Sequence, residues 1–165
     1  MENKPYFCIL LTTYNGIVWL DQQINSILTQ KNVNVDIYIS DDHSNDGTYE
    51  YLKKIENSNI FILERKSKFN LAAKNFFRMI KDISISKYDY IAFSDQDDIW
   101  FENKLFKSHL ILNNSNFSCY SASVRAFWQN GKKKSILLNK NQKKYDHFFE
   151  SAGPGCTFVI KKNAF

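Results

Sequence analysis

Two kinds of hydrophobic pattern alternate along the chain, and that alternation restricts its fold more than any single motif does. Tyr6 to Thr12 is a continuous apolar run closing on small polar residues, the pattern of a strand buried on both faces. Leu20, Ile24, Ile27 and Leu28 then fall at i, i+4, i+7 and i+8, which predicts a helix with one apolar face over about Trp19 to Gln30. Val35 to Ser40 reads as a second strand, so the helix is a crossover between strands that pair in parallel. The alternation continues with a helix over Thr48 to Ile55 and a short strand over Ile60 to Glu64. Ala72, Phe76, Met79 and Ile80 then give a helical face behind a cap at Asn70, and Tyr88 to Ser94 is a fourth strand. The expected class is α/β, a mostly parallel open sheet flanked by helices.

Past Trp100 the regularity fades. Phe101, Leu105 and Leu112 fit one more helix, Tyr120 to Phe127 and Cys156 to Ile160 read as strands, and Gly153-Pro154-Gly155 reads as a turn. At 165 residues with no interdomain linker, a single domain over 1–165 with a short mixed C-terminal part is expected. An apolar fraction of 44% with only two prolines argues against disorder.

The net charge is +5, and it is unevenly spread. No acidic residue lies between Glu102 and Asp146, whereas nine basic ones do, six of them within Lys132 to Lys144. Two readings stand, a solvated loop or a positive face for a diphosphate-bearing acceptor or an anionic membrane surface. The run has no aromatic interleaving and no nucleic-acid motif, so nucleic acid is not an expected partner. Three scattered cysteines, Cys8, Cys119 and Cys156, form no framework and suit a reducing cytosol. No stretch is long and apolar enough for a membrane span, which leaves a cytoplasmic chain, soluble or peripheral at the inner face of the membrane, as the expectation.

Ligands of open parallel sheets bind beyond the carboxyl ends of the strands. Those ends carry the polar clusters: Thr12-Thr13-Tyr14-Asn15-Gly16, Asp41-Asp42-His43-Ser44 and Asp95-Gln96-Asp97-Asp98. Three carboxylates within four residues repel one another, and a divalent cation relieves that repulsion. Mg²⁺ or Mn²⁺, with its oxygen ligands shared between carboxylates, water and phosphates, suits Asp95 and Asp97. The competing reading makes Asp97 or Asp98 a helix cap. From Asp42 the D-x-S-x-D-G spacing imitates a calcium loop, but Lys53 occupies the twelfth position where a bidentate Glu is required. His43, His109 and His147 lack zinc-ligand spacing. No G-x-S-x-G elbow or P-loop is present, and Cys156 reads as a small buried residue rather than a nucleophile.

Together these residues resemble family 2 glycosyltransferases of the GT-A (Rossmann-like) fold, and Phe93-Ser94-Asp95-Gln96-Asp97-Asp98-Ile99-Trp100 is similar to the bacterial rhamnosyltransferase-like branch. The likeness spans Leu11 to Gly16, Gln22 to Gln30, Asp41 to Thr48, Lys74-Asn75-Phe76, the acidic string and Gly155-Cys156, essentially the whole chain. It implies a nucleotide-binding half over 1–100 and the start of an acceptor-side half over 101–165. By resemblance Thr12 and Tyr14 line the nucleotide pocket, Asp42 accepts a hydrogen bond from uracil or thymine, and Asp41 supports that loop. Asp95 then lies near ribose or diphosphate, Asp97 holds Mg²⁺ or Mn²⁺, and Gly155 and Cys156 approach the donor sugar or the acceptor. The implied partners are a nucleoside-diphosphate sugar and a saccharide or lipid-linked saccharide.

The chain departs from the family pattern twice. Asn70-Leu71-Ala72-Ala73 lacks a glycine usual ahead of Lys-Asn-Phe. No carboxylate follows the glycine-cysteine element, where the family's catalytic base lies, so that base is expected beyond Phe165 and the chain resembles a C-terminally shortened member. Asp146 and Glu150 precede the element and are poor substitutes. The alternative function is a non-enzymatic nucleotide- and Mg²⁺-binding α/β regulatory module.

Overall fold

A computed structural model describes residues 4–128, 130–137 and 153–164. β1 (Tyr6–Thr13) runs parallel to β2 (Asn34–Asp41) and is joined to it by α1 (Ile17–Leu28). α2 (Thr48–Leu52) leads to β3 (Ile60–Ile62), which pairs in parallel with β2, and α3 (Ala72–Asp82) leads to β4 (Tyr90–Ser94), which pairs in parallel with β1. The expected parallel α/β sheet is therefore present.

Strand alternation explains its layers. Phe7, Ile9 and Leu11 face one side with Leu20, Ile24 and Ile27 of α1, while Cys8 and Leu10 face the other with Met79 of α3. All five β1 residues are fully buried or nearly so, which is why this strand reads as a continuous apolar run.

The sheet continues past β4. α4 (Lys104–Asn113) is followed by β5 (Cys119–Tyr120), then by β6 (Val124–Phe127) and β7 (Lys133–Ile136), which form a separate antiparallel hairpin. β8 (Val159–Lys161) lies antiparallel between β4 and β5, so the six-stranded order is β3-β2-β1-β4-β8-β5.

Several expectations are corrected here. Tyr120 to Phe127 is not one strand: β5 and β6 belong to different sheets and are separated at Ser121 to Ser123. Gly155 to Thr157 forms a 3-10 turn instead of opening a strand, closed by Thr157 N–H and Oγ1 donating to Pro154 O at 2.9 and 2.8 Å. Phe101 lies outside α4 and is 66% exposed. Asn70 is not a helix cap: Leu71 holds the position before α3, and Asn70 takes φ +57, a left-handed conformation Asn tolerates better than most residues. No helix starts at Asp97 or Asp98, since α4 begins at Lys104. Among the described residues no helix is long and apolar enough to cross a membrane.

Candidate nucleotide-sugar site

Register places the polar clusters together. Thr13 pairs with Asp41 and Leu11 with Ser94, so β1, β2 and β4 end on one rim. A cleft of about 410 Å³ opens there, lined among others by Thr12, Tyr14, Asp42, Lys68, Asp95 and Asp97.

Backbone and side-chain hydrogen bonds fix the loops around it. Asp41 is buried and faces inward: it accepts Ser44 N–H at 3.0 Å and pairs with Arg65, whose Nε lies 2.7 Å away. Asn15 N–H donates to Ser44 Oγ and Gly16 N–H to Thr48 Oγ1, which binds the loop after β1 to the loop after β2. Asp46 Oδ1 accepts Thr48 N–H at 3.0 Å at the start of α2. Asp42 lines the cleft, and its two carboxylate oxygens accept Phe69 N–H at 2.6 Å and Asn70 N–H at 2.8 Å. The residues standing where the family has glycine thus form a cleft wall, with Asn70 supplying the left-handed turn.

Gln96, the second residue of the acidic string, ties that string to β1. Its Oε1 accepts Thr13 Oγ1–H at 2.7 Å and Tyr14 N–H at 2.9 Å, and its Nε2 donates to Tyr14 O at 3.1 Å. Tyr14 is 46% exposed, with Lys68 Nζ 4.9 Å from its ring centroid. Behind the cleft, Asn75 Oδ1 accepts Ser40 Oγ–H at 2.6 Å. Sequence reasoning passed over Gln96, Lys68 and Arg65; Arg65 and Lys68 stand in the basic stretch Arg65-Lys66-Ser67-Lys68 just past β3, a signal visible if the loop after each strand is inspected, whereas Gln96 carried none.

The acidic turn is electrostatically strained. Burial, then the charges of Asp98 and Asp97, push the Asp95 carboxyl above its usual range, against a lowering by Lys104. Asp97 is exposed on the cleft wall. Asp98 Oδ2 is buried with no hydrogen-bond partner among the described residues. One ligand atom each from Asp95, Asp98 and Cys156 falls within 4.8 Å of the others. Cys156 is a poor metal ligand in this state, because burial and the neighbouring Asp98 push its thiol up to about 12. Lys104 donates to Cys156 O at 2.7 Å and packs 3.1 Å from the Trp100 ring centroid, and burial pulls its ammonium down to about 7. Gly155 is exposed and Cys156 buried. The donor set is compatible with a hard divalent cation: Asp95 and Asp97 offer carboxylate oxygens on the cleft, and burial together with neighbouring like charge already disfavours ionised Asp95 without one. Asp146, Glu150 and His147 lie outside the described residues.

The geometry has relatives. The chain is 46% identical over 157 residues to dTDP-rhamnosyl transferase RfbG of Shigella flexneri, covering 92% of this chain and 54% of that protein. It is 31% identical over 115 residues to an Escherichia coli enzyme, UDP-Glc:alpha-D-GlcNAc-diphosphoundecaprenol beta-1,3-glucosyltransferase WfaP, covering 68% of this chain and 44% of that one. The chain thus spans about half the length of these relatives. Among solved structures it superposes on the mannosyltransferase PcManGT from Pyrobaculum calidifontis, in complex with GDP-Man and Mn²⁺, with a TM-score of 0.67 at 12% identity, over 98% of this chain and 46% of that one. S. aureus TarS 1–349 in complex with UDP gives 0.64 at 14% identity, over 94% and 46%. These likenesses show a GT-A fold. The family description Glycosyl transferase family 2 matches residues 8–165, and the chain belongs to that family.

Proposed function

We propose that this chain binds a uridine or thymidine diphosphate sugar together with Mg²⁺ or Mn²⁺, as the donor-binding portion of an inverting glycosyltransferase. The acceptor is a hydroxyl of a cell-surface polysaccharide or lipid-linked saccharide, reached at the cytoplasmic face of the membrane. The observation that carries the reading is the convergence of Tyr14, Asp42, Asp95 and Asp97 on one cleft at the carboxyl ends of β1, β2 and β4.

Tyr14, half exposed at the cleft, offers a ring on which the pyrimidine packs. Asp42 retains lone pairs beyond the two used by Phe69 and Asn70, and accepts the imide N–H of uracil or thymine. Thr12 completes that wall, and Asp41 with Arg65 holds the loop bearing Asp42. Asp95 faces ribose and diphosphate, Asp97 holds the metal, and Gly155 and Cys156 stand beside the transferred sugar. A bound divalent ion neutralises charge on the departing nucleoside diphosphate. Residues 1–100 supply the nucleotide contacts, and residues 101–165 begin the acceptor side. The names of the relatives, dTDP-rhamnosyl among them, support a pyrimidine nucleotide donor.

Titration calorimetry of the 165-residue chain with dTDP, UDP and GDP, each with and without Mn²⁺, tests the proposal. The expected result is Mn²⁺-dependent binding of dTDP or UDP at least tenfold tighter than GDP. Metal binding indifferent to all three nucleotides would overturn it and favour a Mg²⁺-binding regulatory module.

A further inference from the structure

A second cleft, of about 650 Å³, begins where the first ends: Asp95, Gln96 and Asp97 line the first, and Asp98 lines the second. Its wall is built by α4 and the β6–β7 hairpin. Arg125 and Phe127 are two apart on β6, and Lys133 pairs directly with Phe127, so all three project from one hairpin face. Lys107 of α4 joins them in the lining.

Three chemistries meet in this cleft. Lys107, Arg125 and Lys133 are exposed, and none forms a salt bridge with a described residue. Among the described residues Asp98 is the one carboxylate in the lining, while the remaining cation, Lys104, is already held by Cys156 O and Trp100. The described lining therefore carries surplus positive charge suited to a phosphate. Phe101 and Phe127 are 66% and 54% exposed, with the Arg125 guanidinium 5.7 Å from the Phe101 ring centroid. Their faces suit the C–H faces of a sugar ring, which bare phosphate does not offer. Asp98 Oδ2 is buried and has no hydrogen-bond partner among the described residues, a lone pair that a donor such as a sugar hydroxyl would satisfy.

We propose that this second cleft binds the acceptor and reads it as a glycosyl phosphate, with Lys107, Arg125 and Lys133 on the phosphate and Phe101, Phe127 and Asp98 on the sugar. The assignment of this occupant as acceptor rests on the donor reading of the first cleft, but the binding chemistry does not. A concave cleft walled by aromatic rings and a carboxylate matches a discrete ligand better than a bilayer surface, which meets flat or convex faces.

The test is binding of N-acetylglucosamine 1-phosphate to the 165-residue chain saturated with dTDP and Mn²⁺. Methyl N-acetylglucosaminide, inorganic phosphate and phosphatidylglycerol vesicles serve as comparison probes. The glycosyl phosphate should bind at least tenfold tighter than the glycoside or inorganic phosphate. Arg125→Gln and Lys107→Gln should each weaken it roughly tenfold while leaving dTDP affinity unchanged. Equal binding of glycosyl phosphate and glycoside, or indifference to both substitutions, would overturn the proposal. So would vesicle binding that is lost in these variants while glycosyl phosphate binding persists, which would make the cleft a membrane contact. If dTDP fails to bind while the glycosyl phosphate behaves as expected, the donor reading falls and this site stands.

Discussion

The two clefts that meet at the acidic turn are built on opposite plans. In the first, the side chains that shape its loops already have protein partners: Asp41 has Arg65 and Ser44, Asp42 has two backbone amides, and Gln96 makes three hydrogen bonds to Thr13 and Tyr14. In the second, cations lack ion pairs among the described residues, two phenylalanines are exposed, and Asp98 Oδ2 is unpartnered. The first cleft is organised before its ligand arrives, and the second leaves its polar groups for a ligand to complete. Preorganisation lowers the ordering cost of binding, so the first cleft should bind more tightly than the second.

The largest contrast is expected in stability. Leu11 is fully buried beneath the first cleft, and Leu11→Ala should cost about 2–5 kcal/mol in chemical denaturation. Phe127 stands exposed at the second cleft, and Phe127→Ala should change stability by less than about 0.5 kcal/mol. A comparable loss at Phe127 would mean that the hairpin is part of the core.

A smaller effect should appear at Gln96, whose bonds reach β1 across the sheet rim. Gln96→Ala should weaken dTDP binding roughly tenfold through disorder of the acidic turn, with little change in unfolding midpoint. Gly16→Ala should reproduce this, because an added Cβ would collide with the Gln96 side chain and come 2.7 Å from Thr13 Oγ1. Since both disturb the Gln96 contact with Thr13 and Tyr14, the double variant should lose clearly less than the sum of the two single losses. Additive losses would show that Gly16 and Gln96 act separately.

The mildest test is acid. Asp36, at the start of β2, is buried, which pushes its carboxyl up; hydrogen bonds from Lys87, Tyr88, Tyr6 and Asn59 outweigh this and hold it below the usual range. A depressed folded pKa stabilises above the unfolded value, about 3.9, and the contribution is lost as pH falls through the folded value. The stability advantage of wild type over Asp36→Asn should therefore hold at about pH 6 and shrink below about pH 4. A gap independent of pH would assign the Asp36 contribution to shape alone.

What could be read from sequence follows from the range of the interactions. The parallel sheet and its rim were legible because buried strands and amphipathic helices write their periods locally, and because Asp41-Asp42 and Asp95 to Asp98 directly follow apolar runs. Gln96 was missed because its partners, Thr13 and Tyr14, lie more than 80 residues away. Asn70 was misread because asparagine favours both helix caps and left-handed turns, and Asp42 accepting Asn70 N–H coincides with the second. The C-terminal strands are two to four residues long, too short for a period, and the turn at Gly155 is closed by Pro154 O.

The central claim is that the acidic turn holds a divalent ion against the donor diphosphate, and electron paramagnetic resonance of free Mn²⁺ tests it most directly. Adding dTDP to wild-type chain should remove Mn²⁺ from solution beyond the amount complexed by dTDP alone, and Asp97→Ala should abolish that excess. Bound Mn²⁺ unaffected by dTDP, or an excess that survives both Asp97→Ala and Asp95→Asn, would contradict it.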